Sequence, residues 1–214
     1  MTVQVKICGI ATADDYLACR DAGASWVGVV HYPGSPRHLA AEDMASLAAC
    51  ADAAAGPQRV LLTVDVVCDA LAPLIAAARP DMLQLHGQES PDAVKAIKQR
   101  FGLPVIKAVA VETADDLAAC GKWHGLAEWL LFDAKVKAGA RPGGTGHSFD
   151  WSLLKHYRGQ TPWMLAGGLN SATVGKAVAI SGARAVDVSS GVESRPGKKD
   201  ATEIHTFIRA AQLV

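Results

Sequence analysis

The chain has 214 residues and is 50% hydrophobic, enough to bury one large α/β core or two small ones. Lys+Arg and Asp+Glu both number 21, so the formal net charge is zero. No basic field or basic run points to nucleic acid, and an anionic ligand has to be held by local groups.

The opening stretch MTVQVKICG has no apolar segment of the signal-peptide kind, and the longest apolar runs are too short and interrupted to span a bilayer. Val3 to Cys8 alternates. Val3, Val5 and Ile7 take the face that packs under helices, while Gln4, Lys6 and Cys8 take the inward one. A helix is predicted from about Thr12 to Ala22, with Thr12 as N-cap ahead of Asp14 and Asp15, and Gly23 ends it. The strand Trp26 to Val30 leads into a stiff loop, His31-Tyr32-Pro33-Gly34-Ser35-Pro36-Arg37. A helix follows from about Ala40 to Ala55, broken by Gly56-Pro57.

The same unit then recurs. Strand Arg59 to Val64 precedes helix Cys68 to Ala78; strand Met82 to Leu85, ending in His86-Gly87, precedes helix Pro91 to Arg100. Strand Val105 to Val109 precedes helix Thr113 to Ala119. The apolar run Trp129 to Phe132 stops at Asp133; a Lys-, Ala- and Gly-rich segment leads on to Gly143-Gly144-Thr145-Gly146 and a helix from Asp150 to about Tyr157. Strand Trp163 to Leu165 ends in Ala166-Gly167-Gly168-Leu169-Asn170 and precedes helix Ser171 to Ile180. Strand Ala185 to Val188 ends in Ser189-Ser190-Gly191, and a last helix runs from about Asp200 to Ala210.

Strict alternation means parallel strands with right-handed crossovers. Eight such units in a chain of this size predict an α/β fold, a single (β/α)8 TIM barrel over residues 1–214. An open doubly wound sheet is the alternative, and no GxGxxG opens the first unit.

In a barrel the informative residues stand where strands end. Those positions hold Cys8, Arg37 just past the second strand, His86, Asp133, Gly167-Gly168 and Ser189-Ser190-Gly191. The last two groups follow strands seven and eight, whose loops in this fold commonly cradle a phosphate with backbone N–H groups and a short extra helix. Ordinary turn chemistry is the competing account of those loops. Cys8 shares its face with Lys6, and a lysine pointing into a barrel needs a partner. Closure sets strand eight beside strand one, so Asp187, inward by the same alternation as Ser189, is the expected partner. A cation beside the Cys8 thiol favours thiolate, a competent base; a small buried hydrophobe is the other reading. Arg37 can hold a carboxylate in a bidentate fork, or lie on the surface. His86 is an acid–base or hydrogen-bonding candidate or a structural histidine, with Gln84 as inward polar support. No metal site is expected, because no second His or acidic ligand stands at clear spacing from His86. The cysteines Cys8, Cys19, Cys50, Cys68 and Cys120 are an odd, scattered set of 5 without CxxC, so neither a disulfide framework nor zinc is indicated and a reducing cytoplasm fits.

These residues carry a resemblance from one end of the chain to the other. Lys6-Ile7-Cys8-Gly9, Tyr32-Pro33-Gly34-Ser35-Pro36-Arg37, Gln84-Leu85-His86-Gly87 and Phe132-Asp133-Ala134-Lys135 resemble the phosphoribosylanthranilate isomerases of tryptophan biosynthesis. So do Gly143-Gly144-Thr145-Gly146 with Phe149-Asp150-Trp151, Leu165-Ala166-Gly167-Gly168-Leu169, and Asp187-Val188-Ser189-Ser190-Gly191-Val192-Glu193. The resemblance implies a cofactor-free and metal-free Amadori rearrangement on a small phosphorylated substrate. It implies Asp133 as the general acid, Cys8 as the general base and Arg37 as holder of the anthranilate carboxylate. Loops at Gly144 to Gly146, Gly167-Gly168 and Ser189 to Gly191 would hold or border the phosphate. A monomer or homodimer without nucleic-acid or membrane partners is expected. Two other readings stand beside it: the related aminoaldose isomerase of histidine biosynthesis, which has a carboxylate where Cys8 stands, and a non-catalytic phosphate-binding barrel.

Overall fold

The computed structural model describes residues 2–53, 55–134 and 150–214. Gly144 and Gly146, named above as phosphate-loop glycines, lie outside the described residues. Eight strands alternate with helices in chain order: β1 Gln4–Cys8, α1 Ala13–Asp21, β2 Trp26–His31, α2 Ala41–Ala53, β3 Gln58–Thr63, α3 Cys68–Ala78, β4 Met82–Leu85, α4 Pro91–Phe101, β5 Val105–Val111, α5 Ala114–Ala118, β6 Trp129–Ala134, β7 Trp163–Leu165, α6 Val174–Ser181 and β8 Ala185–Val188. Two short strands, β9 Glu193–Arg195 and β10 Lys198–Lys199, form a hairpin before the last helix, α7 Ala201–Gln212. The eight strands β1 to β8 close into a parallel barrel, β1 pairing with both β2 and β8. The single (β/α)8 barrel expected from the alternation is the observed fold.

Local chemistry explains the boundaries. The Thr12 hydroxyl accepts from Asp15 N–H at 3.1 Å, and the Asp15 carboxylate accepts from Thr12 N–H at 3.1 Å, a reciprocal cap that starts α1. Ser90 caps α4 with Pro91 in its first turn, and Gly102, at φ 65°, ends it in the left-handed conformation. Along β1, Val5 and Ile7 enter the layer between barrel and helices, where Leu71, Val94, Ile204 and Phe207 also pack. The inward set, with Trp26, Val60, Met82, Ile106, Leu131 and Met164, fills the barrel's own core. The period of two therefore sorts each strand between two cores and carries the inward parity up to the strand ends.

Three expected helices differ. The helix predicted for Thr113 to Ala119 is α5, followed by a 3-10 turn at Ala119–Trp123. Asp150 to Tyr157 is a 3-10 helix at Trp151–His156, capped by the Asp150 carboxylate, which accepts from Ser152 N–H (2.9 Å). α6 starts at Val174 rather than Ser171, because the Asn170 side chain accepts from the N–H groups of Ala172 and Thr173 (3.0 and 3.1 Å) and makes a turn first. The hairpin β9–β10 was not anticipated. Its signal was Pro196-Gly197, with Gly197 at φ 81°.

Phe132 shows what the outer layer contributes. It is fully buried and meets Tyr157 edge-on, with ring centroids 5.2 Å apart, and Trp163 at 5.6 Å. Phe132→Ala is expected to cost about 3–5 kcal/mol, read as a lower urea midpoint, whereas Phe132→Leu should recover most of it.

Candidate active site

Every polar candidate but Arg37 and Ser190 follows from the inward parity. Lys6 and Cys8 come from β1, Gln84 from β4 with His86 two residues on, Asp133 from β6, and Asp187 from β8 with Ser189 two residues on. Cys8, Gln84, His86, Asp133, Asp187 and Ser189 line one cavity with Arg37, Ser35 and Tyr32, over an apolar floor of Val30, Leu62 and Val64. The thiol and the carboxyl group proposed as base and acid therefore open onto the same space, at the C-terminal mouth of the barrel.

Lys6 is fully buried, and its ammonium donates to Asp187 Oδ1 at 2.7 Å, across the seam where β1 meets β8. Burial works against the Lys6 charge, but the Asp187 carboxylate, hydrogen-bonded to it, holds its pKa above the ordinary value. Gly28, opposite Cys8 on β2, makes the room. A Cβ there would lie 3.0 Å from the Cys8 sulfur and 3.2 Å from Lys6 Nζ. The expectation that Lys6 makes Cys8 a thiolate needs correction for the free protein. Burial pushes the thiol pKa up, Asp187 adds to the rise, and Lys6 and Lys199 offset it only in part.

On the opposite wall, the Gln84 side-chain amide and His86 Nδ1 share a hydrogen bond of 2.9 Å. His86 Nε2 stands 3.6 Å from Asp133 Oδ2, and Asp133 Oδ1 accepts from Ala134 N–H at 2.8 Å. Gly167, at φ 89°, packs against this carboxylate: a Cβ would fall 3.1 Å from Asp133 Oδ1 and 2.9 Å from Ala134 N. A buried cation supports the wall from behind. Lys107, on β5, donates to the carbonyls on either side of His86, those of Leu85 (3.1 Å) and Gly87 (2.8 Å), and pairs with Glu89 at 3.0 Å. Nothing in the sequence beyond a lysine within an apolar strand marked this clamp.

The third wall departs most from expectation. The Ser189 hydroxyl donates inward to the Cys8 carbonyl (2.9 Å), rather than standing free as a phosphate donor, because the two strand ends lie side by side. Lys199 donates to Ser189 O (2.9 Å) and to Glu193 Oε1 (2.8 Å). Arg37 is nearly buried, and its Nε and Nη2 already grip Glu193 at 2.6 and 2.9 Å. Burial opposes the Glu193 charge, yet Arg37 and Lys199 keep its pKa below the ordinary value. Burial lowers that of Lys199, with Glu193 resisting. Ser190 opens a 3-10 turn, Ser190–Val192, just after strand eight. Gly191 lets that turn meet the loop after β7, since a Cβ there would overlap the Leu169 carbonyl. Gly168, at φ 63°, belongs to the same loop. Gly167, Gly168, Ser190 and Gly191 thus gather at one rim, outside the residues that line the cavity itself. Glu193 and Lys199 were not singled out from sequence, although Glu193 closes a quoted motif. Among the described residues, no three His, Cys, Asp or Glu side chains converge as metal ligands would.

A closed eight-stranded barrel with polar side chains gathered in one cavity at the strand ends is the arrangement of a (β/α)8-barrel enzyme. The family is specific: the model described as N-(5'phosphoribosyl)anthranilate (PRA) isomerase matches residues 5–210, and the chain belongs to that family. It is 47% identical over 215 residues to N-(5'-phosphoribosyl)anthranilate isomerase of Parvibaculum lavamentivorans, covering 99% of each chain. Its fold matches phosphoribosyl anthranilate isomerase of Thermotoga maritima with a TM-score of 0.86 at 34% identity, covering 99% of this chain and 100% of the other. A phosphoribosyl anthranilate isomerase in complex with reduced 1-(o-carboxyphenylamino)-1-deoxyribulose 5-phosphate matches with a TM-score of 0.83 at 32% identity, covering 99% and 100%.

Two outcomes follow from the buried charges. Alkylation of Cys8 in the free protein, followed by peptide mass spectrometry, should still accelerate above pH 9.0, the ordinary thiol value, and Lys6→Met should push that rise higher; a plateau near neutrality would contradict the site's electrostatics. Asp187→Ala should cost about 3–5 kcal/mol in urea unfolding, because it strands the Lys6 cation.

Proposed function

We propose that the protein converts N-(5'-phosphoribosyl)anthranilate to 1-(2-carboxyphenylamino)-1-deoxyribulose 5-phosphate, the Amadori step of tryptophan biosynthesis. The observation that carries this is the facing of Cys8 and Asp133 across one cavity in a chain of the PRA isomerase family. Asp133 gives a proton to the furanose ring oxygen. The C1–O bond breaks onto that oxygen while the nitrogen lone pair forms C1=N, leaving an open-chain cationic Schiff base. Cys8 then takes the C2 proton, and the C2–H electrons pass through C1 to nitrogen as an enolamine. Tautomerisation returns a proton to C1 and leaves the ketone at C2. C1 is reduced, C2 is oxidised, and no external electrons are needed.

The order of the steps answers the raised pKa of Cys8. Ring opening puts a positive charge beside the thiol, and a nearby cation favours the thiolate. The base thus has a raised pKa while the site is empty, and the cation formed by ring opening lowers it when its task arises. His86, within 3.6 Å of Asp133, is placed to steady the carboxylate that the first step leaves. Gln84, fully buried, supports His86 through its side-chain hydrogen bond. Arg37 holds the anthranilate carboxylate, and Lys6 and Asp187 support Cys8 from below. The rim of Gly167, Gly168, Ser189, Ser190 and Gly191 takes the phosphate through backbone N–H groups, with Gly144 and Gly146 completing it.

A reducing cytoplasm suits five free cysteines; no helix among the described residues is long and apolar enough to cross a membrane. The protein acts on its small phosphorylated substrate as a monomer or homodimer. The Thermotoga maritima isomerase is dimeric, and monomers have been generated from it.

Turnover is read as loss of anthranilate fluorescence from freshly made substrate. Cys8→Ser and Asp133→Asn should each lower kcat by about a hundredfold to ten-thousandfold with KM nearly unchanged. Near-normal turnover in either variant would remove that residue's role. Arg37→Ala should act chiefly on KM.

A further inference from the structure

We propose that Glu193 is a positioning residue that commits Arg37 to the substrate carboxylate by occupying one edge of its guanidinium; this rests on the substrate assignment above. A guanidinium can grip carboxylates along two edges, Nε with Nη2 and Nη1 with Nη2. Glu193 fills the first, Nε to Oε1 at 2.6 Å and Nη2 to Oε2 at 2.9 Å. Arg37 lines the cavity of Cys8 and Asp133, so the second edge is the one left to a ligand there.

Glu193 is itself fixed. It is buried, takes a bond from Lys199 at 2.8 Å and accepts from Gly197 N–H at 3.3 Å. The hairpin β9–β10 that carries it sits directly on the arginine's loop, since a Cβ on Gly197 would fall 2.4 Å from the Pro36 carbonyl. Gly9, just past Cys8 and at φ 78°, accepts the arginine stem: a Cβ there would lie 2.6 Å from Arg37 Cδ. One surface therefore sets the free edge relative to the base. Charge agrees locally, because Arg37 and Lys199 together exceed Glu193 by one positive charge.

The test compares N-(5'-phosphoribosyl)anthranilate with its carboxamide counterpart in wild type and Glu193→Gln. Glu193→Gln is expected to raise KM for the carboxylate substrate about ten- to a hundredfold, leave kcat within about threefold, and erase a matching part of the preference for carboxylate. In an Arg37→Ala background it should add nothing. An equal rise in KM for both substrates, or an unchanged preference, overturns the proposal. So does a raised preference, which would mean that Glu193 only offsets the arginine's charge. If Glu193→Gln does not fold, Glu193→Asp, which keeps the charge and withdraws it by one methylene, should show an intermediate loss of preference, and none would overturn the proposal. Wild type that turns over the carboxylate substrate while the variant keeps its preference removes Glu193 alone. Wild type that does not turn it over removes the substrate assignment and the proposal together.

Discussion

A lysine with no solvent contact lies inside the barrel, and the rest of the site depends on how it is held. Isolated in a low-dielectric interior, the Lys6 ammonium would cost several kcal/mol or lose its proton. It keeps the charge because Asp187 meets it at 2.7 Å across the strand pair that closes the barrel. That pairing joins the first and last strands of the sheet, so register, closure and charge are satisfied together. Two residues further along each strand, the same register brings Cys8 beside Ser189, whose hydroxyl donates to the Cys8 carbonyl. A slip of one residue would turn the ion pair, the thiol and the serine to the wrong face at once.

The mouth repeats this arrangement with other pairs. Arg37 and Lys199 share Glu193, and Lys107 pairs with Glu89 while holding the carbonyls that flank His86. None of these three cations is the reacting group. Lys199 and Lys107 are buried and tied to backbone and carboxylate behind Arg37 and His86, which face the cavity, so the facing residues are held from the rear. Rigid support of this kind is what acid–base chemistry needs from a scaffold, because proton transfer tolerates little error in distance.

Much of this was legible in the sequence for definite reasons. Val3 to Cys8 alternates cleanly, so the inward placement of Lys6 and Cys8 followed from period two alone. Asp187 followed as the partner once eight units implied closure. His86, Asp133 and the glycine and serine loops could be found because they sit next to apolar runs whose ends are sharp. Three features could not be found. Glu193 and Lys199 lie on strands of three and two residues, too short to show a period. Lys107 is a lone cation in a strand, and the carbonyls it holds beside His86 belong to β4 and the loop after it. The state of the Cys8 thiol was misjudged because adjacency to Lys6 is visible in sequence, whereas burial, which outweighs it, is not.

By itself the sequence determined the barrel, its inward residues, the positions of the candidate base and acid along the chain, and a motif set specific enough to indicate the family. These are local or periodic properties, carried by residue spacing and side-chain type. Only the tertiary structure decided which groups are already engaged and how they are set: that Ser189 is spent on the Cys8 carbonyl, that Glu193 takes one edge of Arg37, and that burial raises the pKa of the free thiol. Such outcomes depend on distances between chain segments up to 181 residues apart and on the exclusion of water. Neither quantity is written in any one stretch of the chain.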